Sequence, residues 1–469
     1  MNPKYLAVFL LAASLCVLPL DAMGQVEQTQ TDTAAYGLTP EEYRPFSRFE
    51  NPYKEFFLSL LEYPGYGRHI PEPDSVETVK IGFIGPIMKS VAESYGGPEE
   101  VPMRVNQRQV RWDGYGASHL APLGIKMLQG AQLALEQANQ RGGYRGQTPY
   151  QMVVMNDNGE WRSSGRAVID LAYRDSVWAI LGTVDGANSH ILIRVALKAE
   201  VPVMNTADTD PTFVETNIPW VLRNITDDRM MCYLLADFAY KKLGLERVAA
   251  LRAVNRYGRV NIDEFRDGST RLGHPLVVEL SYQEGDTDFS AQLERIKALD
   301  VDAVFTYGNS LESALILRQM RDMGMDQWFL GSDRMVTDEL IEIVGPDHGR
   351  VVAGYPYDPT SEDPKHLQFV ADFRHAFGEE PETYAAHAYD GMKMLIEATE
   401  RAGLNRALIR DELVAMNPYH GVTGVQIFDA VLSDRSPATL AFLVDGRFEF
   451  FSREHVLSDE FEVAPPSNH

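Results

Sequence analysis

Short apolar runs that end in polar residues occur in two successive sets along this chain, and stretches with helical spacing separate them. The runs are residues 79–85, 150–157, 178–183 and 201–211 in the first set, and 248–253, 276–282, 302–310 and 328–333 in the second. Apolar runs alternating with helices predict parallel sheets covered on both faces. Ligands of such sheets lie beyond the carboxyl ends of the strands. The pattern therefore predicts an α/β chain with two Rossmann-like lobes and a cleft between them.

Helical spacing also predicts where the connecting helices lie. The predicted helices cover a segment from about Leu123 to Gly142, and residues 165–174, 189–199, 227–243, 262–272, 289–299, 311–323, 366–376 and 384–402. The chain has 469 residues, which is enough for two domains with accessory segments.

The same reading divides the chain into segments. The predicted boundaries are 1–24 for a signal peptide, 25–75 for an accessory extension, 76–223 plus 355–424 for the first lobe, 224–354 plus 425–455 for the second lobe, and 456–469 for a tail. The extension is rich in aromatic residues and lacks the strand–helix pattern. An insert near 88–118, rich in Gly and Pro, exceeds the usual length of such connections.

The first 24 residues have the features of a secretory signal. Lys4 precedes the apolar run 6–20, and Ala22 and Gly24 are small residues at the positions that signal peptidase reads. We expect cleavage before Gln25 and a location in the periplasm. Cys16 leaves a lipid-anchored alternative, which is disfavoured because the bulky Leu15 precedes it.

Charge and cysteine content exclude some classes of protein. The formal net charge is −24 at pH 7, and a surface this acidic repels phosphate backbones, so we expect no nucleic-acid partner. Outside the signal, Cys232 is the single cysteine, and its apolar surroundings predict a buried free thiol. The histidines are scattered, and His366, His375 and His387 are interpreted as solvent-exposed.

The sequence lacks the familiar motifs of catalysis and cofactor binding. It contains no GxGxxG after the first strand, no GxxxxGK[ST], no HExxH, no CxxC pair and no GxSxG. We therefore expect no cofactor, no metal site and no catalytic residues.

Several segments carry a resemblance to a known family. They are residues 130–147, 180–189, 201–211, 255–258, 285–308 and 383–403. From about Val79 to Phe450 the chain resembles the periplasmic solute-binding proteins of ABC importers for branched-chain amino acids, the leucine/isoleucine/valine-binding group with the type I periplasmic binding fold. The resemblance implies two lobes that close on a small polar ligand and then dock on a membrane permease. It also implies a hinge of three crossing segments, which we expect near 221–225, 352–356 and 425–428.

The resemblance also implies a set of ligand-contacting residues at the strand ends. These are Asp185, Gly186, Ala187, Asn188, Ser189, Asp208, Thr209, Tyr257, Asn309 and Asp333. The loop 185–189 would face a ligand carboxylate, Tyr257 would close from the second lobe, and Asp333 would take an ammonium group. As alternatives, Asp333, Asn309 and Ser189 are suited to helix caps and residues 208–209 to a turn.

Two departures from the family pattern bear on the ligand. The family often has Ser or Thr where this chain has Gly186 and Ala187, which weakens the side expected to hold a carboxylate. Asp208 places an acid where the family commonly has a small neutral residue. This indicates a ligand that is more cationic than a branched-chain amino acid, or one that is not an α-amino acid.

The expected function is capture of an amino acid or related compound by a monomeric protein that serves an ABC permease. The long aromatic extension leaves a second class open, a sensor or accessory protein of the same fold. An enzyme acting on sugars or nucleosides is a third class, which would need a catalytic pair or metal cluster.

Overall fold

The computed structural model describes residues 62–87, 110–111, 120–216, 218–345 and 349–462, with the backbone alone at 110–111. The predicted signal peptide, the part of the extension before residue 62, nearly all of the insert and residues 463–469 lie outside the described residues. Within the described residues, the chain forms two α/β lobes, each built on a largely parallel sheet, as the sequence predicted.

The sheet of the first lobe contains the first set of apolar runs. In chain order its strands are β1 (Val79–Gly85), β2 (Val110–Arg111), β3 (Tyr150–Asn156), β4 (Ala179–Leu181), β5 (Val203–Asn205) and β6 (Val221–Arg223). Their order across the described sheet is β2-β3-β1-β4-β5-β6, and all neighbours pair in parallel. Buried side chains on both faces explain the nearly continuous apolar runs.

The sheet of the second lobe contains the second set. Its strands are β7 (Val248–Ala253), β8 (Val278–Tyr282), β9 (Ala303–Tyr307), β10 (Trp328–Gly331) and β11 (Val351–Tyr355), followed by β14 (Thr439–Val444) and β15 (Arg447–Ser452). Across the described sheet the order is β15-β14-β11-β10-β9-β7-β8. The two late strands pair antiparallel at one edge, and β12 (Tyr419–Gly421) and β13 (Gly424–Gln426) form a separate hairpin.

Helices connect the strands in both lobes. Within the described residues they are α1 (Ala121–Gln140), α2 (Trp161–Ile169), α3 (Gly186–Ala199), α4 (Asp228–Asp237), α5 (Arg256–Arg271), α6 (Ser290–Lys297), α7 (Ser310–Asp322), α8 (Asp338–Val344), α9 (Pro364–Phe377), α10 (Thr383–Ala402), α11 (Arg406–Ala415) and α12 (Arg453–Val456). Helix α5 begins six residues before the predicted start at 262, because Asn255 caps it by accepting a hydrogen bond from the Gly258 N–H at 2.8 Å.

The chain crosses between the lobes after β6, after β11 and before β14. Arg223 at the end of β6 pairs in parallel with Ser433, and Asp434 N–H donates to the Arg223 carbonyl at 2.8 Å. Because β14 begins at Thr439, the third crossing lies after Ser433. The prediction of this crossing at 425–428 was therefore wrong: that alternating pattern belongs partly to the β12–β13 hairpin.

The described end of the extension packs on the first lobe. The ring of Tyr63 contacts Trp220 edge-on, with centroids 4.6 Å apart. The side-chain amide of Asn405 donates to the carbonyls of Gly67 and Ile70, both at 2.8 Å. These contacts attach residues 62–70 to the first lobe, beside strand β6 and at the start of helix α11.

The burial of Cys232 agrees with the prediction, but the burial of two of the three histidines named above does not. Cys232 is buried and free, as predicted. His366 and His387 are also buried, so their interpretation as solvent-exposed was wrong, whereas His375 is exposed. His387 lies on the packed face of α10, where its Nδ1–H donates to the Thr383 carbonyl at 2.7 Å.

The buried His387 predicts a pH-dependent stability. Burial lowers its pKa to about 4. The unfolded chain therefore takes up a proton below its ordinary pKa near 6.5, while the folded chain does not. We expect His387 to cost about 3 kcal/mol of unfolding free energy as the pH falls from about 7 to 4.

Urea denaturation at several pH values should show this loss in wild type and a smaller one in His387→Gln. The exposed His375→Gln serves as control, and equal pH slopes in wild type and His387→Gln would contradict the prediction.

Candidate functional site

The carboxyl ends of the two parallel sheets face each other across a cleft, and charged side chains bridge it. From the second lobe, Arg256 Nε donates to Asp210 Oδ2 of the first lobe at 2.7 Å. Farther along, an Arg334 guanidinium nitrogen approaches the Val184 carbonyl at 3.4 Å and Asp185 Oδ2 at 4.0 Å. The lobes are thus in contact through the loops that the sequence predicted to hold the ligand.

The loop 185–189 forms the first turn of α3. Asp185 caps the helix by accepting a hydrogen bond from Ala187 N–H at 3.0 Å. Asn188 donates to Asp157 at 3.2 Å, and Ser189 Oγ accepts from Asn205 at 3.2 Å, so both side chains make contacts inside the first lobe.

Gly186 permits a close approach of the lobes at this turn. A Cβ atom there would lie 2.5 Å from Asp210 Oδ2 and 3.1 Å from Arg256 Nε. The absence of a side chain at Gly186 therefore leaves room for the Asp210–Arg256 ion pair.

The loop after β5 carries Asp208 and Thr209 and is held from both sides. Asn205 Oδ1 accepts from Asp208 N–H at 2.9 Å, and Asp208 Oδ1 accepts from Asp210 N–H at 3.0 Å. The Thr209 carbonyl accepts from Asp228 N–H at 2.9 Å, which joins this loop to the first turn of α4 in the second lobe. This loop therefore forms part of the floor of the cleft, where the two lobes meet.

Asp333 lies at the end of β10 and accepts hydrogen bonds from two tyrosines. Tyr257 donates to Oδ1 at 2.6 Å and Tyr384 donates to Oδ2 at 2.7 Å. Burial, and then the charge of Asp333, raise the pKa of both tyrosine hydroxyls well above their usual value. Both hydroxyls therefore stay protonated and act as donors, and both oxygens of Asp333 are engaged.

Arg334 follows Asp333 and occupies the space between the lobes. Its guanidinium carbon lies 3.6 Å from the centre of the Tyr257 ring, which is a cation–π contact. It also donates to Asn309 Oδ1 at 3.1 Å. Asn309 makes no side-chain cap to helix α7. The Asn309 side chain therefore contacts Arg334 and does not cap the helix, contrary to the alternative interpretation.

The structure thus brings Asp185, Asp208, Tyr257, Asn309 and Asp333 to one cleft. It adds residues that sequence reasoning missed, namely Asp210, Asp228, Arg256, Arg334 and Tyr384. Arg256 and Arg334 stand directly beside predicted residues, so adjacency was an available signal. Tyr384 lies about fifty residues beyond Asp333, and no local pattern connects the two.

Other kinds of site receive no support from the described part of the chain. No group of three or more His, Cys, Asp or Glu residues there could hold a metal ion. Among the helices that the structure describes, none is long and apolar enough to cross a membrane.

The two-lobed α/β fold, with charged side chains bridging the cleft between its lobes, is the type I periplasmic binding fold. Comparison with known proteins places the chain more narrowly. Residues 116–445 match the family described as periplasmic binding protein. The chain belongs to this family.

Relatives and solved structures agree with the assignment. The chain is 26% identical over 341 residues to the Leu/Ile/Val-binding protein homolog 2 of Brucella abortus, covering 71% of this chain and 90% of the relative. The leucine-binding protein LivK of Thermotoga maritima has a TM-score of 0.68 and 26% identity, with 80% of this chain and 98% of that one covered. LivJ of Streptococcus pneumoniae in complex with isoleucine has a TM-score of 0.68 and 24% identity, covering 80% and 99%.

Proposed function

We propose that this protein is an extracytoplasmic solute-binding protein that captures a small polar ligand, an amino acid or related compound, and delivers it to an ABC importer. The observation that carries the proposal is the buried array at the strand ends, in which Asp333 accepts from Tyr257 and Tyr384 while Arg334 reaches the opposite lobe. Charged groups are expensive to bury, and such arrays suit recognition of a charged solute.

Closure of the lobes is the proposed mechanism of capture. A ligand that contacts loops of both lobes binds the closed form better than the open form, and so shifts the population toward closure. The three crossing segments supply the hinge. The bridging pairs Arg256–Asp210 and Arg334–Asp185 would form as the lobes meet.

We propose that the ten residues predicted from the sequence contact the ligand or shape its pocket. We also propose that the lobe boundaries follow the predicted segments except at the third crossing, which lies after Ser433. We further propose a monomer that resides in the periplasm, engages a membrane permease and changes no covalent bond. A sensor or accessory role is the second candidate. It is favoured by the aromatic extension, whose described end is attached to the first lobe.

A thermal-shift screen of amino acids, amides, short acids and alcohols tests the proposal. A ligand present at a hundred times its Kd adds about 2.7 kcal/mol to the stability of the folded form. We expect at least one compound to raise the Tm of the wild type. Asp333→Ala should abolish that shift, because it leaves two tyrosine hydroxyls without their acceptor and removes the carboxylate beside Arg334.

The control is Asp363→Ala, which removes an exposed carboxylate that caps α9 by accepting a hydrogen bond from Lys365 N–H at 2.7 Å. This variant should lose some stability but keep the full ligand-induced shift. A shift that persists in Asp333→Ala would remove Asp333 from the site. Failure of every compound to shift the wild type would count against solute binding.

A further inference from the structure

Two carboxylate oxygens at the floor of the cleft have no hydrogen-bond partner within the described residues. They are Asp208 Oδ2 and Asp228 Oδ2. The side chains are 2% and 0% exposed, so water does not solvate them freely. Unpartnered buried carboxylate oxygens are costly, and each invites a donor.

The two carboxylates lie on adjoining loops from opposite lobes. Thr209, the residue after Asp208, accepts the Asp228 backbone N–H at 2.9 Å. Asp228 Oδ1 already accepts from the Tyr307 hydroxyl at 2.8 Å, and Asp208 Oδ1 from the Asp210 N–H at 3.0 Å. The unengaged oxygens are therefore the second oxygens of two fixed carboxylates that flank the junction of the lobes.

Neighbouring charges show that both groups belong to the cleft. Burial, followed by the charges of Asp210 and Asp185, raises the pKa of Asp208 well above its usual value, with the Ser189 hydroxyl acting in the opposite direction. These acidic neighbours lie on the inter-lobe face of the first lobe, at the loops described above.

The pKa of Asp228 is raised in the same way, by burial and by a neighbouring acid of the second lobe. Burial, followed by the charge of Asp333, raises its pKa well above the usual value. The hydroxyls of Tyr307 and Thr209 and the charge of Arg334 act in the opposite direction. Both carboxyls thus lie among acidic neighbours with little positive charge beside them.

The balance of charges in the cleft also leaves Asp208 and Asp228 short of donors. Among the described cleft residues named above, carboxyl groups outnumber guanidinium groups. The carboxylates are Asp185, Asp208, Asp210, Asp228 and Asp333, and the guanidinium groups are Arg256 and Arg334. Asp333 is occupied by its two tyrosines and Asp210 by Arg256, so the unmet demand for donors falls on Asp208 and Asp228.

We propose that the ligand is a small organic cation whose ammonium or amidinium group binds between Asp208 and Asp228, and that Asp333 orients the pocket instead of taking the cation. This inference rests on the proposed function and adds the class of ligand. An ammonium group offers three donors and an amidinium at least three, so either can satisfy both oxygens at once.

Isothermal titration calorimetry on matched probes tests the inference. L-Lysine and L-norleucine share a carbon skeleton and differ in the side-chain ammonium, and cadaverine and pentanoate form a second pair of opposite charge. We expect each cationic probe to bind at least about tenfold more tightly than its partner, because hydrogen bonds to charged groups contribute that much or more. In buffers of different ionisation enthalpy, binding of the cation should release protons.

Isosteric variants assign the effect to the two carboxylates. Asp208→Asn and Asp228→Asn should each weaken the better cation at least about tenfold and reduce proton release. Asp363→Asn, an exposed carboxylate outside the cleft, should leave affinity unchanged. Circular dichroism and Tm establish that each variant is folded.

The outcomes separate this inference from the proposed function. Equal or tighter binding of norleucine or pentanoate, or unchanged affinity in both Asn variants, would overturn the cation assignment while solute binding stands. If cations fail and a neutral or anionic compound from the thermal-shift screen binds, the same conclusion follows. If no compound of either panel binds, both proposals fall.

Discussion

Asp227→Ala is expected to remove about 3–5 kcal/mol from the free energy of unfolding. Asp227 is fully buried at the hinge, where its Oδ2 accepts from Arg223 at 2.9 Å and also from Arg435. Removing the carboxylate leaves two buried guanidinium groups without their shared counter-charge. Breaking a buried ion pair by deleting one partner costs far more than losing an exposed pair.

The protonation of Asp227 gives an independent view of the same interaction. Burial alone would raise its pKa, but the charges of Arg435 and Arg223 outweigh burial and lower it to about 2. A depressed carboxyl pKa contributes stability that is present above the unfolded value near 4 and is lost as the pH falls through the folded value. We therefore expect the contribution of Asp227 to disappear between about pH 4 and pH 2.

Urea denaturation at pH 7 measures the loss, and an exposed pair supplies the control. Arg374 and Glu380 form an ion pair with side chains 58% and 65% exposed. Arg374→Ala should leave the unfolding free energy close to that of the wild type, because exposed ion pairs contribute little to stability. A loss of similar size in both variants would contradict the assignment of Asp227 as the main electrostatic contact of the hinge.

Asp227 also connects stability to function. It joins the end of β6 to the third crossing segment, so the ion pairs cross-link two of the three hinge strands. In the proposed closure of the lobes, the hinge must bend while its strands stay in register. We expect the buried pairs to hold the strands together while the lobes move about them.

The fold was predictable because apolar runs in a doubly covered parallel sheet leave a strong signal. The run at 79–85 matches strand β1 (Val79–Gly85) residue for residue. Boundaries set by side-chain caps were less predictable: Asn255 starts α5 through a hydrogen bond to Gly258, and hydrophobic spacing does not record that bond. The third crossing was misplaced because a hairpin and a hinge strand show the same alternation.

The site was predictable only where the chain order itself brings residues to the strand ends. Asp333 and Tyr257 follow strands of the same sheet, and the Tyr257 hydroxyl donates a hydrogen bond to Asp333 Oδ1 at 2.6 Å. Asp228 and Tyr384 reach the cleft from the first turns of helices that follow hinge crossings. Their positions depend on how the two lobes are assembled, and no periodic pattern encodes that assembly.

Gly130→Ala is the second large effect, with an expected loss of about 3 kcal/mol of unfolding free energy. Gly130 lies where α1 packs against α10, and a Cβ atom there would be 2.0 Å from the Ala385 carbonyl oxygen. The obstructing atoms are backbone, so no side-chain rotation relieves the clash and the helices must separate. Helix propensity favours alanine over glycine by about 1 kcal/mol, which the clash outweighs.

Gly165→Ala is the matched control, since Gly165 is also a helix interior glycine. Its Cβ would contact only the Ile191 Cγ2 atom, at 3.2 Å, within a side chain that can shift. We expect this variant to be neutral or more stable by up to about 1 kcal/mol. Equal stability of the two variants in urea denaturation would show that α1 and α10 separate without cost.

Because Tyr384 precedes Ala385, a displaced α10 should also weaken the Tyr384–Asp333 hydrogen bond. We therefore expect Gly130→Ala to reduce the ligand-induced thermal shift, whereas Gly165→Ala should leave that shift intact.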